Sequence, residues 1–184
     1  MTQGRAGTML DRTMPTWSWS EYHSIEMPGE CAGVIDAADA LTWGEVPLFR
    51  RIMRTVSLGR VPEHPDGRVL ELFTQGPYVQ VHRDAEELVY VGFLQARPDA
   101  TVAEFEDDPV ASFRDASPPR SVKVAMNFLY RDGVLSTETR CQATERFATR
   151  AFSLYWLAIR SGSGAIRGSW LRGIRRKTQN GDEA

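Results

Sequence analysis

Asp132-Gly133 stands between two alternating segments, "SVKVAMNFLYR" (121–131) and "VLSTETRCQA" (134–143), and no other feature constrains the fold as strongly. The dipeptide supplies the two positive-φ residues of a type I′ turn, whose twist matches that of the strands it joins. A two-residue turn here places Arg131 opposite Val134, Phe128 opposite Thr137, Met126 opposite Thr139 and Val124 opposite Cys141. Side chains alternate between faces with period two. Val122, Val124, Met126, Phe128 and Tyr130 therefore share one face with Thr137, Thr139 and Cys141, and this face is expected to look into the core. On the other face Asn127 opposes Glu138 and Ala125 opposes Arg140, beside Lys123 and Gln142. Glu138 and Arg140 are expected to form an ion pair on the solvated side of the sheet, worth at most about 1 kcal/mol.

Upstream, "WSWSEYHSIEM" (17–27) reads as a strand, with Trp17, Trp19, Ile25 and Met27 on one parity and Ser18, Ser20, Ser24 and Glu26 on the other. Glu21 and His23 interrupt the apolar parity. A helical stretch from Cys31 to Leu41 follows, then a second helix, "PLFRRIMRTV", whose Pro47 suits a first turn. Beyond the turn cluster "VPEHPDG", the segments "RVLELFTQ", "YVQVHRD" and "ELVYVGFLQ" read as strands of a meander. Residues 96–120, rich in acids and prolines, read as an irregular connection with at most one short strand.

The last part of the chain changes period. Ala148, Phe152, Tyr155, Trp156, Ile159, Ile166, Trp170 and Ile174 recur at three- and four-residue steps, and Thr144 is placed to cap the start of a helix. "SGSG" (161–164) interrupts this stripe at about 1 kcal/mol per glycine relative to alanine. The interruption suits a kink, a break between two helices, a ligand contact or a close approach to a strand.

With 184 residues, 42% of them apolar, one domain with one core suffices. The expected boundaries are a loose tail over 1–16, a domain over 17–178 and a second tail over 179–184. A formal charge of −2 creates no field that recruits nucleic acid. Arg160, Arg167, Arg172, Arg175, Arg176 and Lys177 do make the last helix basic, but cations favour a helix C-terminus, and a solvated face accounts for them. Two distant cysteines, Cys31 and Cys141, fit a reduced, cytoplasmic protein better than a disulfide framework. No secretory leader or apolar run of membrane-spanning length is expected.

Strand, two short helices, antiparallel strands and a long final helix make up the plan of the helix-grip α+β fold. The chain resembles the START-like, birch-pollen-allergen-like superfamily of polyketide cyclases, dehydratases and lipid-transfer proteins. More narrowly it is similar to an uncharacterised bacterial branch of it. The resemblance rests on "YHSIEM", "VPLFRRIMR", "ELVYVGF", "VKVAMNF", "LSTETR" and "YWLAIRSGSGAIRGSWL", and covers residues 17 to 177. It implies a curved sheet wrapped around the long C-terminal helix with a cavity between them, and it brings no catalytic residues. Met126, Phe128, Tyr130, Thr137, Thr139, Phe152, Tyr155, Trp156 and Ile159 would line that cavity, or else fill a closed core.

Among titratable groups His23 stands out, because it shares parity with Ile25 and Met27 and has Glu21 beside it. Such a pair can move protons near neutral pH; a lone histidine held by a hydrogen bond within the core is the alternative. His64 and His82 lack ligand spacing with His23, so no metal or other cofactor is implied. "GSG" at 162–164 lacks the context of a nucleophile elbow or a phosphate loop, and Cys141 reads as a small buried hydrophobe. Three functions stay open. The first is binding of a small apolar or amphipathic molecule, and the second is a cyclase- or dehydratase-type enzyme with His23 as acid and base and Tyr130 or Tyr155 polarising an oxygen. The third is a non-catalytic interaction module with a closed core. A sheet edge, or the outward Ala125 and Leu129, would serve a homodimer.

Overall fold

A computed structural model describes residues 7–27, 33–60, 64–95 and 108–181. Its centre is a five-stranded antiparallel sheet built from β1 (Trp19–Glu26), β2 (Tyr78–Arg83), β3 (Glu87–Gln95), β4 (Ser121–Arg131) and β5 (Val134–Ala143), in the order β1-β5-β4-β3-β2. Six helices accompany it among the described residues: α1 (Met9–Thr13), α2 (Val34–Asp39), α3 (Pro47–Val56), α4 (Glu71–Thr74), α5 (Pro109–Asp115) and α6 (Arg146–Gly181). The architecture is α+β, with a long C-terminal helix packed on one face of the sheet.

The β4–β5 hairpin has the register that its turn dictates. Asp132 (φ 53°) and Gly133 (φ 73°) both lie in the left-handed region, and Arg131 pairs with Val134, Phe128 with Thr137, Met126 with Thr139 and Val124 with Cys141. β1 adds to the far side of β5, with Glu21 opposite Thr139 and His23 opposite Thr137. The inward row across three strands thus reads His23, Thr137, Phe128, and the next row reads Glu21, Thr139, Met126.

On this inner face the main core gathers Trp43 and Phe49 of the helical region, Leu88 and Tyr90 of β3, Met126 and Phe128 of β4, and Trp170, Leu171 and Ile174 of α6. Trp170 is its hub, with ring centroids 5.1 Å from Phe49, 5.8 Å from Phe73 and 5.9 Å from Phe128. Nearer the start of α6 a smaller cluster joins Val122, Val124, Cys141 and Phe152, with Trp19 and Trp156 partly buried against it.

The outer face is covered as well, which the sequence reading did not foresee. Residues 7–14, assigned to a loose tail, instead include α1, closed by a reciprocal cap: Asp11 N–H donates to Thr8 Oγ1 (3.1 Å) and Thr8 N–H to Asp11 Oδ2 (3.3 Å). Leu10 and Met14 of this segment pack with Val89, Val91, Phe93, Ala125 and Phe113. Phe113 comes from α5, so the 96–120 region contains a helix where at most a short strand was expected; Asp108 caps it through Val110 and Ala111 N–H, and Pro109 opens it. Ala125 and Leu129, considered as a dimer surface, are buried within the chain itself.

Three other expectations change. "RVLELFTQ" is not a strand: Thr42 and Arg68 form one isolated bridge, and Glu71–Thr74 turn as α4. Thr144 does not cap α6, because its hydroxyl donates to Ser121 C=O (2.9 Å) and accepts from Ser121 N–H (3.2 Å), pinning the ends of β4 and β5 together. "SGSG" is neither a break nor a boundary, since α6 runs unbroken for 36 residues, about 54 Å at 1.5 Å per residue.

Candidate functional site

Inward-facing polar groups converge where α6 crosses β1 and β5. Glu21 and His23, one β-repeat apart, point to the same side, and His23 Nε2 lies 2.7 Å from Glu21 Oε1. Gly164 of α6 faces them: a methyl group on its Cα would stand 3.3 Å from His23 Cε1 and 3.5 Å from Glu21 Oε1. The helix passes so close only because no side chain intervenes at this position.

One helical turn on, Arg167 reaches into the same space. Its Nη2 donates to Thr139 Oγ1 (2.5 Å) and its Nη1 to Thr137 Oγ1 (3.3 Å), while both lie 3.6–3.7 Å from Met126 Sδ. The guanidinium carbon stands 4.7 Å from the ring centroid of Trp170, at cation–π distance. Among the described residues no carboxylate oxygen comes within 4.0 Å of it. Burial pushes its pKa down to about 10, against the opposing pull of Glu21, Tyr78 and Cys141; the group remains a cation at neutral pH. Trp170 adds a buried indole N–H that has no acceptor among the described residues.

Solvent-accessible surface persists in this inward row. The His23 side chain is 31% exposed and that of Glu21 10%; Thr139, Gly164 and Arg167 are also partly accessible, whereas Met126, Phe128 and Thr137 beside them are buried.

The sequence-derived candidates divide into groups. Met126, Thr137 and Thr139 meet at Arg167. Phe128 and Tyr130 belong to the packed core around Trp170, and Phe152 and Trp156 to the smaller cluster near Trp19. The side chains of Tyr155 and Ile159 lie outside the described residues. His23 faces inward with Glu21 as partner. Arg167, expected on a solvated basic face, turns inward instead. Its spacing carried the signal: 167, 170 and 174 share a helix face with the apolar stripe, so a solvated Arg167 conflicts with a buried Trp170 and Ile174.

Glu138 and Arg140 do face outward, but they are not solvated. Arg140 is buried, 2.9 Å from Glu138 Oε1 and 2.6 Å from Asp11 Oδ1; it also donates to Met14 C=O (3.0 Å) and lies 3.8 Å from the Trp17 ring centroid. This network anchors α1 and answers to structure. A shallow concavity of about 210 Å3 on the same side is lined by Arg12, His82, Asp84, Glu86, Glu87 and Arg131. Its charges pair with one another, His82 with Asp84 (2.9 Å) and Arg131 with Glu86 (3.0 Å), and Glu87 accepts from the N–H groups of Met9 and Leu10. Cys141, whose pKa burial pushes up to about 12, is no ready nucleophile. Among the described residues no group of three or more His, Cys, Asp or Glu side chains could hold a metal ion, and no helix is long and apolar enough to cross a membrane.

No family model matches the chain, and no curated protein does.

Proposed function

We propose that the protein binds a small amphipathic molecule between the sheet and α6, in a helix-grip fold of START-like type. One observation carries this reading: polar, partly accessible side chains (Glu21, His23, Thr139, Arg167) meet in the middle of an otherwise apolar helix–sheet interface. Ligand sites combine an apolar wall with a few convergent polar groups, and a closed core would bury or exclude such groups. The apolar wall would come from Met126, Phe152, Trp156 and Trp19. Native mass spectrometry of protein purified from its own host, followed by extraction of whatever denaturation releases, tests the reading. A stoichiometric small molecule is expected. A protein that is empty and also takes up no fluorescent apolar probe contradicts it and favours an interaction module.

The 2.7 Å contact between His23 and Glu21 supports a second reading, an enzyme of the cyclase or dehydratase kind. Glu21 would fix the imidazole orientation, leaving the ring to move a proton on a carbonyl compound held against Arg167. Arg167 would take the oxygen-polarising part that the sequence reading gave to Tyr130 or Tyr155. Turnover of the extracted molecule that disappears in His23→Ala, with binding retained, would select this reading over simple binding.

A further inference from the structure

Arg167, half-buried beneath α6, differs in kind from the buried Arg140. Arg140 is neutralised by two carboxylates, those of Asp11 and Glu138. Arg167 has two threonine hydroxyls, a thioether sulfur and an aromatic face around it, all of them uncharged. A charge withdrawn from water is costly unless it is paired, and hydroxyls and a thioether orient a guanidinium without neutralising it. The acid in its neighbourhood, Glu21, is hydrogen-bonded to His23. The buried indole N–H of Trp170, the ring on which Arg167 stacks, also has no acceptor among the described residues. Among the described residues the site thus holds a cation without a contacting counter-ion and, next to it, a donor without an acceptor.

We infer that Arg167 is the anchor for a carboxylate, so that the molecule held between the sheet and α6 is an amphipathic monocarboxylic acid whose acid group meets this guanidinium. A planar, forked guanidinium matches a carboxylate with two parallel hydrogen bonds. Thr137 and Thr139 hold the fork in place from the β5 side, and Met126 and Trp170 supply the low-polarity surroundings in which such a pair is strong. A phosphate fits less well: it would bring close to two negative charges to one arginine with Glu21 nearby, where phosphate sites gather several cations or backbone N–H groups. The apolar body would extend along α6 toward Trp156 and Phe152, about 16 and 22 Å from Arg167 at 1.5 Å per residue, where Trp19, Val122 and Val124 provide apolar surface.

This inference rests on the binding reading, and the test separates the two. Dansyl-undecanoic acid and its primary amide, which differ only in the charge of the head group, are titrated into the full-length protein, and dansyl fluorescence reports binding. The acid is expected to bind about tenfold or more tightly than the amide. In Arg167→Met the preference is expected to vanish, with affinity for the acid falling to that for the amide; Arg167→Lys, which keeps the charge but loses the fork, is expected to retain part of it. Equal affinity of the wild-type protein for acid and amide overturns the carboxylate inference and leaves the binding reading intact, and this comparison needs no variant to fold. A preference that survives in folded Arg167→Met overturns the assignment to Arg167. Failure of both probes to bind the wild-type protein overturns both readings.

Discussion

Gly164 and His23 are in near contact across the helix–sheet interface, with 3.3 Å between the imidazole Cε1 and the position a methyl group on Gly164 would take. That separation is tighter than ordinary van der Waals contact. It makes the glycine a spacer that sets how deeply the Glu21–His23 pair sits beneath α6.

The two glycines of "SGSG" should therefore respond differently to substitution. Gly162 has nothing within 4 Å of an added methyl group, so Gly162→Ala is expected to raise stability by about 0.5–1 kcal/mol through helix propensity alone. Gly164→Ala should lose most of that gain by pressing on His23 and Glu21, and should weaken binding of the dansyl acid. Denaturant melts of both variants, with probe titrations alongside, check this; equal stabilisation by the two would mean that the contact at Gly164 relaxes freely.

Trp170 is the aromatic whose removal should matter most. Truncating a fully buried aromatic ring to alanine costs about 3–5 kcal/mol. Trp156 is only partly buried, while Trp170 is 2% exposed and touches Phe49, Phe73 and Phe128. Trp170→Ala is expected to cost about 3–5 kcal/mol in a urea or guanidinium melt and Trp156→Ala clearly less. The reverse order would contradict the described packing of α6.

Why the inner face was readable and the outer one was not follows from what each pattern encodes. Parity through a two-residue turn fixes the partner of every residue in the hairpin, so Thr137, Thr139 and Cys141 were placed opposite Phe128, Met126 and Val124 without tertiary information. Parity says only that Ala125, Asn127 and Arg140 face the other way; whether that side meets water depends on a short helix near residue 10, distant in sequence. Val89, Val91 and Phe93 on the outer face of β3 were the available signal, since three apolar outward residues in a row require a cover. "RVLELFTQ" failed for a different reason: a short apolar run is ambiguous between strand and helix, and tertiary packing decides. Arg167 was misread because its charge was weighed above its spacing. Its neighbours Ile166, Trp170 and Ile174 were assigned to the packed stripe, and the stripe's geometry includes position 167.

Removing Arg140 should release α1. Its guanidinium binds Asp11, Glu138 and Met14 C=O at once, and truncating one member of a buried ionic network leaves the others uncompensated, at about 3–5 kcal/mol. Arg140→Ala is expected to destabilise the protein by that order, with early proteolytic cleavage near residues 7–14 under native conditions. A surface-pair cost of about 1 kcal/mol or less, with an intact N-terminus, would restore the solvated reading of this pair.

The same network sets a pH dependence. Burial alone would raise the Asp11 pKa, but hydrogen bonds from Arg140 and Thr8 and the charge of Arg140 outweigh it and hold the carboxyl below its ordinary value. Glu45 is likewise depressed, burial being outweighed by Thr42 and Lys177, and so is Asp84, by the N–H groups of Glu87 and Glu86 and by His82. A carboxyl with a lower pKa folded than unfolded stabilises the fold above its unfolded pKa, near 4, and loses that contribution as the pH falls through the folded value. Stability should therefore be flat from neutrality to about pH 5 as far as these groups are concerned, then fall. Asp11→Asn isolates one of them: the variant is expected to be less stable than wild type at pH 7, with the gap narrowing as the pH falls below about 4, because the carboxyl of the unfolded wild-type chain then takes up a proton that the folded one resists. Urea midpoints of both proteins across that range test this, and a gap that stays constant or widens in acid would mean that Asp11 contributes through packing and neutral hydrogen bonds, with its charge irrelevant to the docking of α1.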